Sequence, residues 1–111
     1  MTLKDLSQLY HLNREIEMDQ RRLEELEKDQ SCTQEVRCLR NIIEAKHQQC
    51  LYERIRIERY IAEIDDSFLR QIFTYRFING LPWRQVAACV GGGNTEDSVR
   101  MLCKRHFATG K

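Results

Sequence analysis

The chain has 111 residues, nearly a third of them charged, with one Pro, five Gly and a net charge of +1. That length allows one domain, or one small domain and an extension. The composition favours long, solvent-washed helices over a thick globular core. The near-neutral total excludes a globally basic nucleic-acid binder, and no segment approaches the ~20 apolar residues that span a bilayer.

The charge is unevenly divided. Residues 1–64 carry 11 Lys/Arg against 13 Asp/Glu. Residues 65–111 carry seven (Arg70, Arg76, Arg84, Arg100, Lys104, Arg105, Lys111) against four, with no acid after Asp97. A positive end on a neutral body fits local phosphate contact. The five cysteines show no CxxC or Cys/His ligand spacing. With no signal peptide, they imply a reducing, cytoplasmic setting. Cys89 and Cys103 read as small buried hydrophobes.

Residues 3–29 contain no Pro or Gly and are rich in good helix formers. Leu9, Leu12, Ile16, Leu23 and Leu26 follow a heptad a/d stripe, interrupted by Asp19 at a d slot. Turn residues at 29–33 predict a break, with Ser31 or Thr33 as the next N-cap. The repeat resumes over 34–64 with Val36, Leu39, Ile43, Cys50, Ile57, Tyr60 and Ile64, with Lys46 and Glu53 as polar insertions. Two heptad helices joined by a short loop fold most simply as an antiparallel hairpin. Centring the turn near Ser31 brings Leu26 beside Val36, Leu23 beside Leu39, Leu12 beside Cys50, and Asp19 beside Lys46. Ile42, Leu51, Ile55 and Ile61 widen the apolar surface beyond what two helices hide. The hairpin (1–64), with Leu9, Leu12, Ile16, Leu23, Leu26, Val36, Leu39, Ile43 and Ile57 as its candidate residues, is therefore expected to form a homodimer or to dock a partner. A simple spacer is the rival reading.

Asp65-Asp66-Ser67 reads as an N-cap and first turn. Phe68, Leu69, Ile72, Phe73 and Phe77 follow at helical spacing, and Asn79-Gly80 ends the element. Pro82 suits a first helical position. Val86, Ala87 and Val90 form a narrow inward stripe that Gly91 terminates. Asn94 or Thr95 can cap a last helix whose buried side is Val99, Leu102, Cys103 and Phe107. The spacing predicts three helices over about 66–78, 82–90 and 95–107, the last two in the manner of a helix-turn-helix. Phe68, Phe73, Phe77, Trp83 and Phe107 read as core, Trp83 packing on Phe73, Phe77 or Val86.

No nucleophile, metal-ligand or phosphate-cradle constellation accompanies His11, His47, His106 or the run Gly91-Gly92-Gly93. Nothing points to an enzyme, a cofactor or a small-molecule substrate. The outward face of the last helix offers more: Glu96, Asp97, Arg100, Met101 and Lys104, with Arg105 at its edge. Arg100 is the base-reading candidate, Lys104 and Arg105 are the candidate phosphate contacts, and Asn94, Thr95 and Ser98 are expected to bond phosphate near the helix start. Arg84 and Gln85, opening the preceding helix, are set to touch the flanking backbone, and Met101 completes the candidate surface.

The segments Ile64-Asp65-Asp66-Ser67-Phe68-Leu69-Arg70-Gln71-Ile72, Tyr75-Arg76-Phe77-Ile78-Asn79-Gly80-Leu81, Trp83-Arg84-Gln85-Val86-Ala87 and Ser98-Val99-Arg100 resemble region four of sigma factors. They are closer still to the small sigma-like helix-turn-helix proteins of Firmicutes prophages, the phage late-gene activators and their relatives. The resemblance covers about the last 45 residues and implies double-stranded DNA binding by residues 95–107, with Arg100 after the family's buried valine. Gly91 to Val99 is two residues longer than the family's usual spacing. No counterpart of the polymerase-gripping, promoter-melting domain is present. An accessory transcriptional regulator of a phage or mobile element is therefore expected, with RNA polymerase or another host protein as a further partner. Two alternatives stand beside it: an adaptor or inhibitor whose hairpin docks on a host protein, and a small DNA-packaging subunit.

Overall fold

The computed structural model describes residues 1–108, and these form an all-α protein measuring 55 × 25 × 18 Å. Its helices are α1 (Leu3–Glu27), α2 (Thr33–Ala62), α3 (Ser67–Phe73), α4 (Trp83–Val90) and α5 (Glu96–Ala108). Lys111, counted above among the C-terminal cations, lies outside the described residues.

Helix α1 opens with a capping box: Asp5 N–H donates to Thr2 Oγ1 at 3.2 Å, and Thr2 N–H donates to the Asp5 carboxylate at 2.9 Å. The chain reverses through a 3-10 turn, Gln30–Cys32. Asp29 organises this turn, accepting from Ser31 N–H at 3.0 Å and from Ser31 Oγ at 2.7 Å. The expected caps do not form: Ser31 is consumed by Asp29, and Thr33 Oγ1 donates back to Gln30 O. An Asx turn competes well for such hydroxyls because its acceptor carries a full charge.

The antiparallel hairpin forms in the predicted register. Lys46 Nζ lies 2.5 Å from Asp19 Oδ2 and 3.8 Å from Glu15 Oε1. The Asp19 hydrogen bond is the main reason the Lys46 ammonium is held above its ordinary range. Closing the hairpin has a cost for the sequence reading. Leu9, Leu12, Ile16, Leu39, Ile43 and Ile57 are buried within the chain, and Leu23, Leu26 and Val36 are half-buried beside them. Residues expected to meet a partner instead seal α1 against α2, because an antiparallel hairpin turns both stripes toward each other.

The boundary expected at residue 64 is not a break in packing. Leu6, Leu9, Ile57, Ile61 and Ile64 share one core with Ile72, Phe73, Phe77, Val86, Ala87, Val99 and Cys103. A smaller cluster of Ile16, Leu39 and Ile43 closes the distal hairpin. Leu6, fully buried, stands off the heptad seam and faces the C-terminal helices. The same reason covers Ile61, whereas Ile42, Leu51 and Ile55 keep 42–56% of their surface exposed.

Asp66 caps α3, accepting from Phe68 N–H at 2.9 Å. Arg70 then turns back and donates to Ile64 O at 2.6 Å, satisfying a carbonyl at the end of α2. After Phe73 the helix widens into a π-turn over Thr74–Ile78, with Asn79 N–H bonded to Thr74 O. Phe73 and Phe77 both stay buried across this turn, packed edge-to-face with centroids 5.3 Å apart. Trp83 meets Phe77 edge-on at 6.5 Å, and Phe107 stacks on Phe73 at 5.9 Å.

Candidate nucleic-acid interface

Helix α4 begins one residue later than expected, with Pro82 as its N-cap at ψ 153° and Trp83 its first helical residue. An extended ψ is what a residue ahead of a helix has, so the ring fixes the entry of the chain. Val86 and Ala87 are buried, and the small Ala87 lets α5 approach. Arg84 and Gln85 are exposed on the first turn, as predicted.

Three consecutive glycines with positive φ (65°, 67° and 76°) connect α4 to α5. Gly91, at ψ −152°, occupies a region open essentially only to glycine. The long turn ends in a network of side chains. Asn94 Nδ2 donates to Gly91 O at 2.8 Å, and Asn94 Oδ1 accepts from Ser98 Oγ at 3.2 Å. Ser98 N–H donates to Thr95 Oγ1 at 3.1 Å, and Thr95 N–H donates to Ser98 Oγ at 2.9 Å. This is a capping box with Ser in the place of the usual Glu. Asn94, Thr95 and Ser98, expected as phosphate ligands, therefore spend their polar groups on building the helix start. What remains for an anion there is the N–H of Glu96 and of Asp97, which no helical carbonyl can satisfy.

Val99 and Cys103 are fully packed and Leu102 and Phe107 half-buried, so α5 presents Glu96, Asp97, Arg100, Met101, Lys104 and Arg105 outward, as predicted. Arg100 Nη2 is 2.6 Å from Asp97 Oδ1 and 3.9 Å from Glu96 Oε1. Exposed i,i+3 and i,i+4 pairs contribute only about 0.3–0.5 kcal/mol each, so they set a resting position without locking it. The charge along α5 is graded: acids at its start, where the dipole is positive, and Lys104 and Arg105 in its last turns. Anions are repelled at one end and attracted at the other.

Two C-terminal cations are not available to a ligand. Arg70 closes α2, and Arg76 lies over the Trp83 ring at 4.6 Å while donating to Leu81 O at 3.0 Å. The described cations that face outward here are Arg84, Arg100, Lys104 and Arg105.

Sequence reasoning missed the link between α5 and the hairpin. Tyr60 Oη and His106 Nε2 are 2.6 Å apart, and the imidazole packs against Phe73 and Phe107. Burial pushes His106 below its ordinary value of 6.5. The signal was present only as Tyr60 on the α2 stripe; the partner is 46 residues away. Burial also raises the Cys103 thiol to about 11, making it the inert hydrophobe expected, whereas Cys89 is exposed.

Among the described residues no helix is long and apolar enough to cross a membrane. No protein-family model matches the sequence, and no curated protein or solved structure is significantly similar to it.

Proposed function

We propose that the chain is a sequence-specific double-stranded DNA-binding regulator of transcription in a phage or mobile element. It works as a dimer and without catalysis, in the manner of the sigma region four-like proteins it resembles. One observation carries the reading. Helix α5 holds Arg100, Met101, Lys104 and Arg105 on one uncovered face, behind a three-glycine turn and beside the exposed Arg84 and Gln85 of α4. Such a face suits a groove lined by phosphates: an arginine mid-helix for a guanine edge, an apolar group for a thymine methyl, and cations for the backbone. The acids at the start of α5 favour approach by its C-terminal half.

Native-gel retardation of duplexes taken from around the chain's own coding sequence tests this. Binding is expected to weaken with salt, with a log–log slope of about −3 per protomer if Arg84, Lys104 and Arg105 each neutralise one phosphate. Arg100→Ala should cost about 1–3 kcal/mol at one base position, while Lys104→Ala weakens all sequences alike and reduces the slope by about one. No retardation of any duplex at low salt overturns the proposal. A ring-sized oligomer would point to the packaging alternative, and a host-protein complex indifferent to Arg100→Ala to the adaptor.

A further inference from the structure

Among the described residues beyond Asp65, Met101 is the one large apolar side chain left exposed, at 48%. Its place on α5 is central. At about 100° per residue it stands about 180° from the midpoint of the buried Val99 and Cys103. Lys104 lies about 60° to one side of it and Arg105 about 40° to the other. Arg100 is about 100° away, on the Lys104 flank. On the Arg105 flank, Met101 and Leu102 line an open hollow of about 400 Å³ together with Asp97, Ser98 and Arg105. The surface of this hollow is almost wholly apolar. Ser98 Oγ is spent on Asn94 and Thr95, so it offers an entering group no partner.

What fills the hollow is argued from what surrounds it, and the argument rests on the DNA reading above, which it deepens. Lys104 and Arg105 attract phosphates to both sides of Met101, and no acid follows Asp97. Between its phosphates a duplex presents base edges. In the major groove only one of those edges carries an apolar group, the thymine 5-methyl. A polar edge entering the hollow would give up water without a partner in return, whereas a methyl loses no hydrogen bond. Methionine suits such a contact, since its unbranched thioether adapts to the shape of a guest. We propose that the Met101–Leu102 hollow reads a thymine 5-methyl, at a base distinct from the one that Arg100 contacts on the opposite flank. Helix α5 then selects by two chemistries, an apolar fit on one side and hydrogen bonding on the other.

The experiment uses the full chain, the duplex it retards most strongly, and a panel in which each thymidine in turn is replaced by deoxyuridine. The exchange removes the methyl and leaves base pairing intact. One thymidine per protomer should show a loss of about four-fold in affinity, as expected for one methyl buried from water. Met101→Ala should abolish that loss, so that thymidine and deoxyuridine duplexes bind alike. Met101→Leu, which keeps an apolar wall, should retain most of it. Arg100→Ala should leave the loss at this position in place, because its own base is a different one. Thymidine and deoxyuridine duplexes bound equally at every position overturn the inference while the DNA reading stands. A deoxyuridine loss that survives Met101→Ala overturns the assignment of the methyl to this hollow. No retardation of any duplex at low salt overturns both readings together.

Discussion

Arg100 carries two opposed demands. Its guanidinium rests on Asp97 and Glu96, yet it is the group on α5 best suited to a guanine edge. Magnitudes decide between them: an exposed pair contributes a few tenths of a kcal/mol, while a good bidentate base contact is worth about 1–3 kcal/mol. On the proposed DNA reading the ion pair yields on contact, and the uncompensated acids are left facing phosphates. Asp97, 87% exposed, should act as a brake on non-specific binding. Asp97→Asn is expected to tighten binding to unrelated duplexes more than to the cognate one, lowering the specificity ratio; competition titrations at fixed salt measure it. Equal tightening on every sequence would make Asp97 a uniform repulsion with no part in specificity, and no change on any sequence would leave it a role at the helix start alone. Such pairing was partly legible, since acids three and four residues before an arginine share a helix face. The engagement of Asn94, Thr95 and Ser98 with one another was not, because a hydroxyl or amide looks equally free in sequence whether it caps a helix or meets a ligand.

Between elements, the informative contacts join helices distant in sequence. The Asp19–Lys46 pair shows how far heptad reasoning reaches: once both helices and their turn were recognised, two polar residues at seam positions had to meet. No comparable rule pairs Tyr60 with His106, whose meeting depends on how α5 crosses α2. That contact carries a pH signature. His106 has its pKa lowered by burial, so the fold favours the neutral ring. Its contribution is present above the unfolded value of 6.5 and is lost as pH falls through the lower folded value. Thermal melts should show the wild type losing stability as the pH falls below the unfolded value of 6.5, with His106→Gln flattening part of that slope. An unchanged slope in the variant would remove His106 as its source.

For the molecule as a whole, one core spans what reads in sequence as two parts. Leu6, Leu9, Ile57 and Ile61 belong to the same cluster as Phe73, Phe77, Val86 and Val99. The C-terminal helices alone have too little interior of their own, as expected for about 45 residues without disulfide or metal. A fragment covering residues 65–111 should therefore show no cooperative thermal transition by circular dichroism, while the full chain does. A sharp, native-like melt of the fragment would restore the two-domain reading. Orientation follows from the shared core: α5 is held rigidly to the hairpin, so whatever spacing the hairpins adopt in a dimer is imposed on the two α5 helices.

Periodicity, turn residues and caps determined the helix boundaries nearly to the residue, the register of the hairpin and the outward face of α5, since all of these are local or follow from the geometry of one helix. They could not say which apolar surplus would be covered from within. Ile61 and Leu51 look alike in the chain: both stand off the heptad seam and both widen the apolar surface of α2. Docking of the C-terminal helices buries Ile61 and leaves Leu51 exposed. Only the tertiary structure decides between them, because burial belongs to the arrangement of helices around a core, and that arrangement is set by which surfaces pack best together rather than by the pattern along any one of them.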